Sequence, residues 1–330
     1  MAILANQKVL TLDYWKPAHD LKVGDYIFNK DGKIVQIKVV QQYRASECYE
    51  IFFDDHLSIC GDHNLKFWVE NTKYRIRTRV YKNTRPFLRP LKVITAKALS
   101  ESSLKNKYNR SDYSVPTTKP LNLPEQTLPV PPFIFGFWYF NRRSNKRLAA
   151  PKGYGPEVYR QMQDHGYKVT EHRKVTTGEQ EFSTKPRIES HLIPNLPIRI
   201  PNNYLLASAE QRLALLRGIL HAKSRTYIKS RDRFRFSHVH QPTILQVQGL
   251  IESLGHKTTI IYDESFKYYS IEFKSRLKLV EGQRSPPIKV HHSRRYIKKI
   301  ERLPEQLCVH IETNEENNSF LVGEGFIACH

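Results

Sequence analysis

The sequence predicts a β-rich domain that is formed by both ends of the chain, with an α/β (α+β) domain inserted between them. Three observations lead to this prediction. Strand-like segments fill the beginning and the end of the chain, a polar, proline-rich stretch follows the first group, and helix-like segments are confined to the middle. With 330 residues, the chain is long enough for each domain to bury its own core.

The N-terminal part, residues 1–112, consists of short strand-like segments joined by turns. KVLTLD, GDYIF, KIVQIKVV and CYEIFF are typical of strands, and Asp31-Gly32 predicts a tight turn between two of them. The C-terminal part, residues 289–330, has the same character in YIKKIERLP, LCVHIET and SFLVGEGFI. Because the two ends resemble each other more than either resembles the middle, we expect them to fold as one domain.

The middle part, residues 113–288, begins with the extended stretch SVPTTKPLNLPEQTLPVPP. PPFIFGFWYFN and AEQRLALLRGILHA predict two helices, and QPTILQVQGLIESLGHK predicts an amphipathic helix that ends at a glycine. KYYSIEFKS alternates like a strand. This mixture of helices and strands predicts a separate α/β domain.

The strongest compositional signal is charge, because 53 Lys and Arg residues face only 32 Asp and Glu residues, a net charge of +21. Such a surplus favours a polyanionic partner, and nucleic acid is the leading candidate, with double-stranded DNA as the expected form and a solvated basic surface as the alternative. In RDRFRFSHVH and KYRIRTRVYKNTRPFLRPLK, an alternating strand would place arginines on one face and aromatic residues on the other. The predicted DNA-binding residues are Arg173, Lys174, Arg231, Arg233, Arg235, Lys267 and Lys274.

Several classes of protein are excluded by composition. Apolar runs stay well short of the roughly 18 residues that a membrane span needs, and the chain does not open with a signal-peptide pattern. The four cysteines are scattered without a C-x-x-C pair, which argues against a zinc ribbon or a disulfide framework. We therefore expect a cytoplasmic monomer in a reducing compartment, with no membrane contact.

Short motifs lie in both strand-rich parts. Leu21, Gly24 and Asp25 form an L-x-x-GD motif, SICGDHNLKFW contains Cys60 and His63, and the chain closes with CVHIETNEENNSFLVGEGFIACH. Together these segments resemble the blocks of inteins, the self-splicing elements of the Hint fold. Cys60 stands at the threonine position of the family's T-x-x-H motif, and His63 stands at its histidine.

The resemblance implies roles for three residues at the upstream junction. An intein begins splicing when a cysteine or serine at its first position attacks the preceding carbonyl, and here Ala2 occupies that position. His63 would hydrogen-bond the nitrogen of the scissile amide and protonate it as it leaves, while Cys60 would help to hold the distorted peptide. Without a nucleophile at Ala2, the usual first step is not possible.

The resemblance also implies roles at the downstream junction. His330 would be the penultimate histidine that polarises the last peptide bond, and an intein would continue with an asparagine that cyclises. Asn318 stands where another histidine often assists, and His310 stands where the family often has an aspartate. With Ala2 and without the asparagine, we expect an engineered, splicing-inactive form; natural inteins that begin with alanine are the alternative.

The middle part resembles the LAGLIDADG homing endonucleases that are inserted in inteins. LPEQTLPVPPFIFGFWYFN and IPNNYLLASAEQRLALLRGILHAKS are similar to the two motifs of that family. The resemblance implies two helices packed at Gly136 and Gly218, each ending in a carboxylate that holds Mg²⁺. Asn141 and Lys223 replace the carboxylates with an amide and an ammonium, so we expect a degenerate domain without a metal or any other cofactor; Mg²⁺ would be needed only by an active endonuclease.

The leading hypothesis is therefore an intein that mediates autocatalytic protein splicing, with its flanking extein host protein in cis as the partner, and with a degenerate endonuclease domain. One alternative is an active DNA-cutting LAGLIDADG endonuclease, which the charge favours and which Asn141 and Lys223 oppose. The other is a DNA-binding protein without catalysis.

Overall fold

The structure is a computed structural model that describes residues 2–72, 91–141, 147–174, 178–192, 199–223, 226–275, 277–283 and 294–330, without the side chains of residues 173 and 174. The chain divides into two compact units. Unit 1 comprises Met1–Asn122, Gly255–Lys257 and Val290–His330, and unit 2 comprises Leu123–Leu254 and Thr258–Lys289. Both ends of the chain thus belong to the same unit.

Unit 1 is rich in strands. Its described strands are β1 (Ala2–Leu4), β2 (Lys8–Leu10), β3 (Trp15–Pro17), β4 (Tyr26–Phe28), β5 (Ile34–Ala45), β6 (Cys48–Phe53), β7 (Ser58–Asp62), β8 (Lys66–Val69), β9 (Lys92–Thr95), β10 (Ser114–Pro116), β18 (Arg294–Leu303), β19 (Gln306–Thr313), β20 (Phe320–Val322) and β21 (Ile327–Cys329). A short helix, α1 (Ala96–Ser100), and a 3₁₀ turn (Ala18–Asp20) complete its described elements.

The main sheet of unit 1 has the strand order β10-β18-β6-β7-β1-β19-β5-β4 and joins strands from both ends of the chain. Strand β1 lies between β7 and β19, with Ala2 opposite His310 and Ile3 opposite Gly61. All three residues of β1 are apolar and buried, as expected for a strand that is covered on both faces. A fully buried isoleucine such as Ile3 contributes about 1.5–3 kcal/mol.

A second sheet of unit 1 has the order β20-β21-β8-β9, and β2 pairs with β3. Gly323, with a φ of 71°, lies between β20 and β21, so the predicted segment SFLVGEGFI forms a hairpin and not one strand. The predicted turn at Asp31-Gly32 also has a positive φ, 75°, at its glycine. The apolar faces of both sheets contribute to one core, which includes Val309, Phe67 and Ile327.

Unit 2 contains the remaining elements. They are the helices α2 (Pro132–Asn141), α3 (Gly155–Asp164), α4 (Asn202–Leu205), α5 (Ala209–His221) and α6 (Gln241–Ser253), the strands β11 (Leu148–Ala150), β12 (Lys168–Lys174), β13 (Gln180–Lys185), β14 (Tyr227–Ile228), β15 (Arg233–His238), β16 (Thr258–Asp263) and β17 (Tyr268–Phe273), and a 3₁₀ turn (Ile188–His191). The described strands form two antiparallel sheets, β11-β13-β12 and β14-β15-β17-β16.

Helices α2 and α5 pack against each other through glycines. A Cβ atom added at Gly136 would lie 2.5 Å from the Leu215 carbonyl oxygen, and one added at Gly218 would lie 2.9 Å from the Phe137 nitrogen and closer still to Phe133. Residues with side chains would therefore hold these two helix backbones apart. Helix α2 is buried from Phe133 to Phe140, as expected for a helix that is apolar on all sides.

The predicted domain boundaries differ from those of the structure. The first was placed after residue 112, but Ser114–Pro116 pairs with β18 of unit 1, so this segment belongs to the β-rich unit. Residues 255–257 also belong to unit 1, which the sequence did not indicate. Among the described helices, none has the length and apolar character that crossing a membrane requires.

Candidate functional site

The candidate site of unit 1 is centred on the backbone nitrogen of Ala2, which is fully buried in β1. This nitrogen donates a hydrogen bond to Asp62 Oδ1 at 3.0 Å, and the hydroxyl of Tyr43 donates to Asp62 Oδ2 at 2.8 Å. Asp62 ends β7 and is 1% exposed. A buried carboxylate therefore faces the amide at which splicing would begin.

His63 directly follows Asp62, in the turn between β7 and β8. Its backbone nitrogen donates to the Glu47 carbonyl oxygen at 3.0 Å, and its Nε2 lies 2.9 Å from Asn64 Nδ2. The predicted hydrogen bond from His63 to the nitrogen of Ala2 does not occur in the structure, because the neighbouring Asp62 occupies that nitrogen. The side chain of His63 is half-buried beside the site.

Three cysteines cluster around Ala2. Cys48, Cys60 and Cys308 are buried together with Ala2 and Leu4 in a small group, and the sulfurs of Cys48 and Cys308 are 3.6 Å apart. Burial, together with the nearby Glu50 carboxylate, raises the pKa of Cys60 to about 12. Cys60 is therefore a protonated thiol at neutral pH and packs against the site as an uncharged side chain.

His310 lies opposite Ala2 on β19. Its Nε2 is 3.0 Å from Glu312 Oε1, so a carboxylate is available to orient the imidazole. The position that the family often gives to an aspartate thus has a histidine with an acidic partner two residues later.

The last residue of the chain pairs with β8. The nitrogen of His330 donates to the Lys66 carbonyl oxygen at 3.0 Å, and the Lys66 nitrogen donates to the His330 carbonyl oxygen at 3.2 Å. The imidazole Nδ1 contacts the carbonyl oxygen of Asn317, and the ring centroid lies 5.0 Å from that of Trp68. These contacts hold the ring of His330 from two sides.

Asn318, which is predicted to stand where another histidine often assists, is bonded within its own loop. Its Oδ1 accepts a hydrogen bond from the Thr313 nitrogen at 2.6 Å, and its Nδ2 donates to the Ile311 carbonyl oxygen at 3.4 Å. The side chain of Asn318 therefore stabilises the conformation of the loop between β19 and β20. The imidazole of His330 contacts the backbone carbonyl oxygen of Asn317.

One short turn connects the two junctions. Residues 63–65 join β7, which pairs with β1, to β8, which pairs with β21. Ala2 lies on β1 and His330 directly follows β21, so the two ends of the described chain belong to strands that pair with the two strands on either side of this turn, with His63 within it. Splicing requires such an arrangement because it joins the segments that flank both ends.

In unit 2, the two expected metal-binding positions lie at the ends of α2 and α5. Asn141 ends α2, and its amide is saturated: Oδ1 accepts from the Ala149 nitrogen at 2.7 Å, and Nδ2 donates to the carbonyl oxygens of Ala149 and Ala222 at 2.5 and 3.0 Å. Lys223 follows the end of α5 and is exposed. Within the described ranges, no group of three His, Cys, Asp or Glu side chains is arranged to hold a metal ion.

The structure separates the predicted DNA-binding residues into groups. Phe234 and Phe236 are 1% exposed on one face of β15, and Arg233 and Arg235 lie on the other face, as the alternation predicts. Both arginines form ion pairs with Glu272 of β17, which neutralises part of their charge.

The remaining basic residues include Arg231 and Lys267, which are exposed, and Lys274, which is half-buried. Lys267 lies in the turn between β16 and β17, with a φ of 53°. Arg173 and Lys174 lie on β12, but their side chains are outside the described residues, as are residues 73–90 of the basic, aromatic stretch before β9.

Comparison with known proteins finds a curated relative and several solved structures that are similar to the chain. No family model matches the chain. The replicative DNA helicase DnaB of Mycobacterium intracellulare is 25% identical over 252 residues, which are 74% of this chain but only 40% of the helicase. The chain thus spans less than half the length of the curated relative it matches.

Among solved structures, the Msm DnaB1 intein splicing domain bound with zinc covers 99% of this chain and 98% of its own, at 8% identity and a TM-score of 0.30. Mesophilic variants of the homing endonuclease I-DmoI cover 48% of this chain and 98% of their own, at 15% identity and a TM-score of 0.33. The gp41-1 intein covers 34% of this chain and 73% of its own, at 14% identity and a TM-score of 0.23.

The chain's own features fit the predicted resemblance. That resemblance implies a β-rich unit formed by both chain ends, with motif residues at its central strand, and an inserted unit with a glycine-lined helix pair, and the structure has both. The predicted resemblance to an intein that carries a LAGLIDADG-type domain is confirmed.

Sequence reasoning missed two residues of the site, Asp62 and Tyr43. Asp62 lies inside the motif that contains Cys60 and His63, so its position was visible, but its contact with Ala2 depends on the pairing of β7 with β1. Tyr43 lies on β5, far along the chain from any motif, and carries no sequence signal for this role.

Proposed function

We propose that unit 1 is a protein-splicing domain that excises itself from a host chain and ligates the flanking segments. The observation that carries the proposal is that the strand of Ala2 and the strand that ends before His330 pair with β7 and β8, the two strands joined by the turn of His63. In a host chain, both scissile bonds would adjoin this turn, next to the buried carboxylate of Asp62. The chemistry needs no cofactor, because its nucleophiles and proton donors are side chains.

We further propose that the chain in its present form does not carry out the usual first step. The side chain at position 2 is a methyl group, which cannot attack a carbonyl. The cysteines around it do not replace it in the ground state, because burial raises the pKa of Cys60 to about 12 and keeps its sulfur protonated. His310 beside Ala2 would then act only in later steps.

The host that we propose is a DnaB-type replicative helicase, in cis. The match to the Mycobacterium intracellulare helicase supports this proposal, although it covers only part of that protein. In this proposal the excised chain acts as a monomer, and no membrane takes part.

A reconstructed precursor tests splicing. It carries Ala2→Cys, an asparagine after His330, and flanking segments with a nucleophilic residue at the downstream junction. We expect a ligated flanking product on a gel and by mass spectrometry, and slower upstream cleavage in the additional variant His63→Ala. A precursor that stays intact for a day under reducing conditions would contradict the proposal.

For unit 2, we propose a degenerate endonuclease domain that does not cleave DNA. Mg²⁺ needs hard, anionic oxygen ligands, whereas Asn141 offers a neutral amide with every polar atom already bonded, and Lys223 offers a cation. Incubation of the chain with Mg²⁺ and DNA that contains the intein-free host site should leave the DNA intact. Double-strand cleavage would favour the alternative, an active homing endonuclease.

Binding of double-stranded DNA without cleavage is the second candidate function, and the net charge of +21 favours it. We expect a mobility shift that weakens as salt rises, because each phosphate contact releases counterions. Arg231→Ala with Lys267→Ala, two exposed sites in unit 2, should weaken binding and flatten the salt dependence. Lys22→Ala, an exposed lysine of unit 1, serves as the control for a simple loss of charge.

A further inference from the structure

We propose that Asp62 is a catalytic residue of the upstream cleavage step, and that Tyr43 is the positioning residue that orients it. This inference rests on the proposed splicing function and extends it, since it assigns the hydrogen-bond acceptor for the nitrogen that leaves the scissile bond. The geometry around Ala2 carries the inference.

The carboxylate of Asp62 is held at both oxygens. Oδ1 accepts the hydrogen bond from the Ala2 nitrogen at 3.0 Å, and Oδ2 accepts that from the Tyr43 hydroxyl at 2.8 Å. Asp62 is 1% exposed, and no lysine or arginine among the described residues forms an ion pair with it. A buried carboxylate without a cationic partner is costly, so its position beside the scissile nitrogen indicates a function.

The backbone is built to allow this contact. Gly61 lies opposite Ile3, and a Cβ atom at Gly61 would be 2.5 Å from the carbonyl oxygen of Ala2. Glycine therefore lets β7 approach β1 closely enough for the short side chain of Asp62 to reach the nitrogen of Ala2. Residues 60–62 thus bring a thiol, a close backbone contact and a carboxylate to Ala2.

Tyr43 supplies the orientation. Burial of its hydroxyl and the hydrogen bond to Asp62 raise the pKa of Tyr43 well above its usual range. The phenol therefore stays protonated at neutral pH and always acts as the donor to Oδ2. With Oδ2 occupied, Oδ1 remains directed at Ala2.

The chemistry follows from the charge that develops on the nitrogen. In a precursor with cysteine at position 2, the sulfur forms a bond to the preceding carbonyl carbon, and the bond from that carbon to the nitrogen of residue 2 breaks. The thiol proton is transferred in net terms to the nitrogen, which leaves as an amine and takes up a further proton from solvent. A fixed carboxylate at hydrogen-bond distance stabilises this nitrogen more strongly as it becomes positive, which is how an enzyme lowers a barrier.

The test uses the full chain in the reconstructed precursor, with upstream and downstream cleavage measured together. Asp62→Asn keeps the shape and removes the charge, and upstream cleavage should slow roughly 10- to 100-fold, the effect expected for a lost charge-assisted hydrogen bond. Tyr43→Phe should slow it by roughly 3- to 10-fold, as for one neutral hydrogen bond. Tyr26→Phe, an exposed tyrosine of β4, is the matched control and should have no effect.

Two readouts separate positioning from a general loss of structure. Downstream cleavage after His330 should keep its parental rate in both variants, whereas a misfolded domain would lose both reactions. In the double variant Tyr43→Phe with Asp62→Asn, upstream cleavage should be no slower than in Asp62→Asn alone, because Tyr43 acts only through the carboxylate.

A measurement on the chain as it exists tests the contact without splicing. In protein labelled with ¹⁵N at alanine, the amide proton of Ala2 should shift upfield in Asp62→Asn. An unchanged amide signal, or parental upstream cleavage in Asp62→Asn while the precursor itself splices, would overturn this inference and leave the splicing function intact. If the parental precursor fails to cleave at either junction, the splicing function and this inference are both refuted.

Discussion

Replacing Asn141 by aspartate should destabilise unit 2, although it restores the carboxylate that the endonuclease family has at this position. In the structure, the Asn141 amide donates from Nδ2 to two carbonyl oxygens, those of Ala149 and Ala222, and accepts from the Ala149 nitrogen. Aspartate keeps the acceptor but turns the donor into a second anionic oxygen that faces the two carbonyls. The end of α2 would keep only one of its two hydrogen bonds to β11 and would lose the hydrogen bond to the end of α5.

The cost follows from these contacts. Two lost hydrogen bonds contribute about 1 kcal/mol each, and leaving the carbonyl oxygens unpaired beside a negative charge adds about 1–3 kcal/mol, which gives a total of about 3–5 kcal/mol. A typical domain has only about 5–15 kcal/mol of net stability, so the change is a large fraction of the total. A loss of about 3 kcal/mol corresponds to a change of roughly 100-fold in the opening equilibrium.

Hydrogen exchange followed by mass spectrometry is the suitable assay, because it reports each unit separately. Peptides from α2 and α5 should exchange roughly 100-fold faster in Asn141→Asp, whereas peptides from β1 and β19 of unit 1 should be unaffected. Asn203→Asp makes the same chemical change at an exposed position of α4 and should exchange like the parent. Parental protection of α2 in Asn141→Asp, or Mg²⁺-dependent cleavage of DNA by that variant, would refute this reasoning.

Three further predictions concern glycine packing, charge and thiols. Gly218→Ala should cost about 2–4 kcal/mol in unit 2, because the added methyl group meets the backbone of α2. Gly249→Ala has open space around it and should be neutral or slightly stabilising, so equal unfolding midpoints of the two variants in denaturant would contradict this prediction. Burial raises the pKa of Glu272, but hydrogen bonds from two arginines outweigh this effect and hold the pKa below its usual range. Glu272→Gln should therefore cost about 1–2 kcal/mol at pH 7 and progressively less as the pH falls below about 4.5, and a difference in stability from the parent that is independent of pH would exclude this pairing. Cys48 and Cys308 should form an intrachain disulfide when oxidised glutathione is added, and the reaction should be faster at pH 9 than at pH 7, because burial raises the pKa of both thiols and only the thiolate reacts. Peptide mapping that finds the two cysteines unlinked at pH 9 would contradict this prediction.

The sequence by itself determined the organisation of the chain and much of its chemistry. Alternating apolar residues specify strands, and the change to helical spacing near Pro132 marks the inserted unit, because these periods record which face of each element is buried. The identity of a side chain also limits its chemistry wherever it lies: Ala2 has no nucleophile, and Lys223 cannot bind a divalent cation. The glycines of the two motif helices indicated a close crossing for the same local reason.

Only the tertiary structure decided which groups meet. Asp62 and Tyr43 converge on Ala2 because β1 lies between β7 and β19, and β5 pairs with β19, an order that local periodicity does not encode. The same holds for Glu272, which pairs with arginines of a neighbouring strand, and for Asn141, whose amide is saturated by two distant backbone segments. Hydrogen bonds and ion pairs require distances that are correct to within a few tenths of an ångström between residues that are remote in sequence. Strand register and helix packing set those distances only once the whole unit has folded.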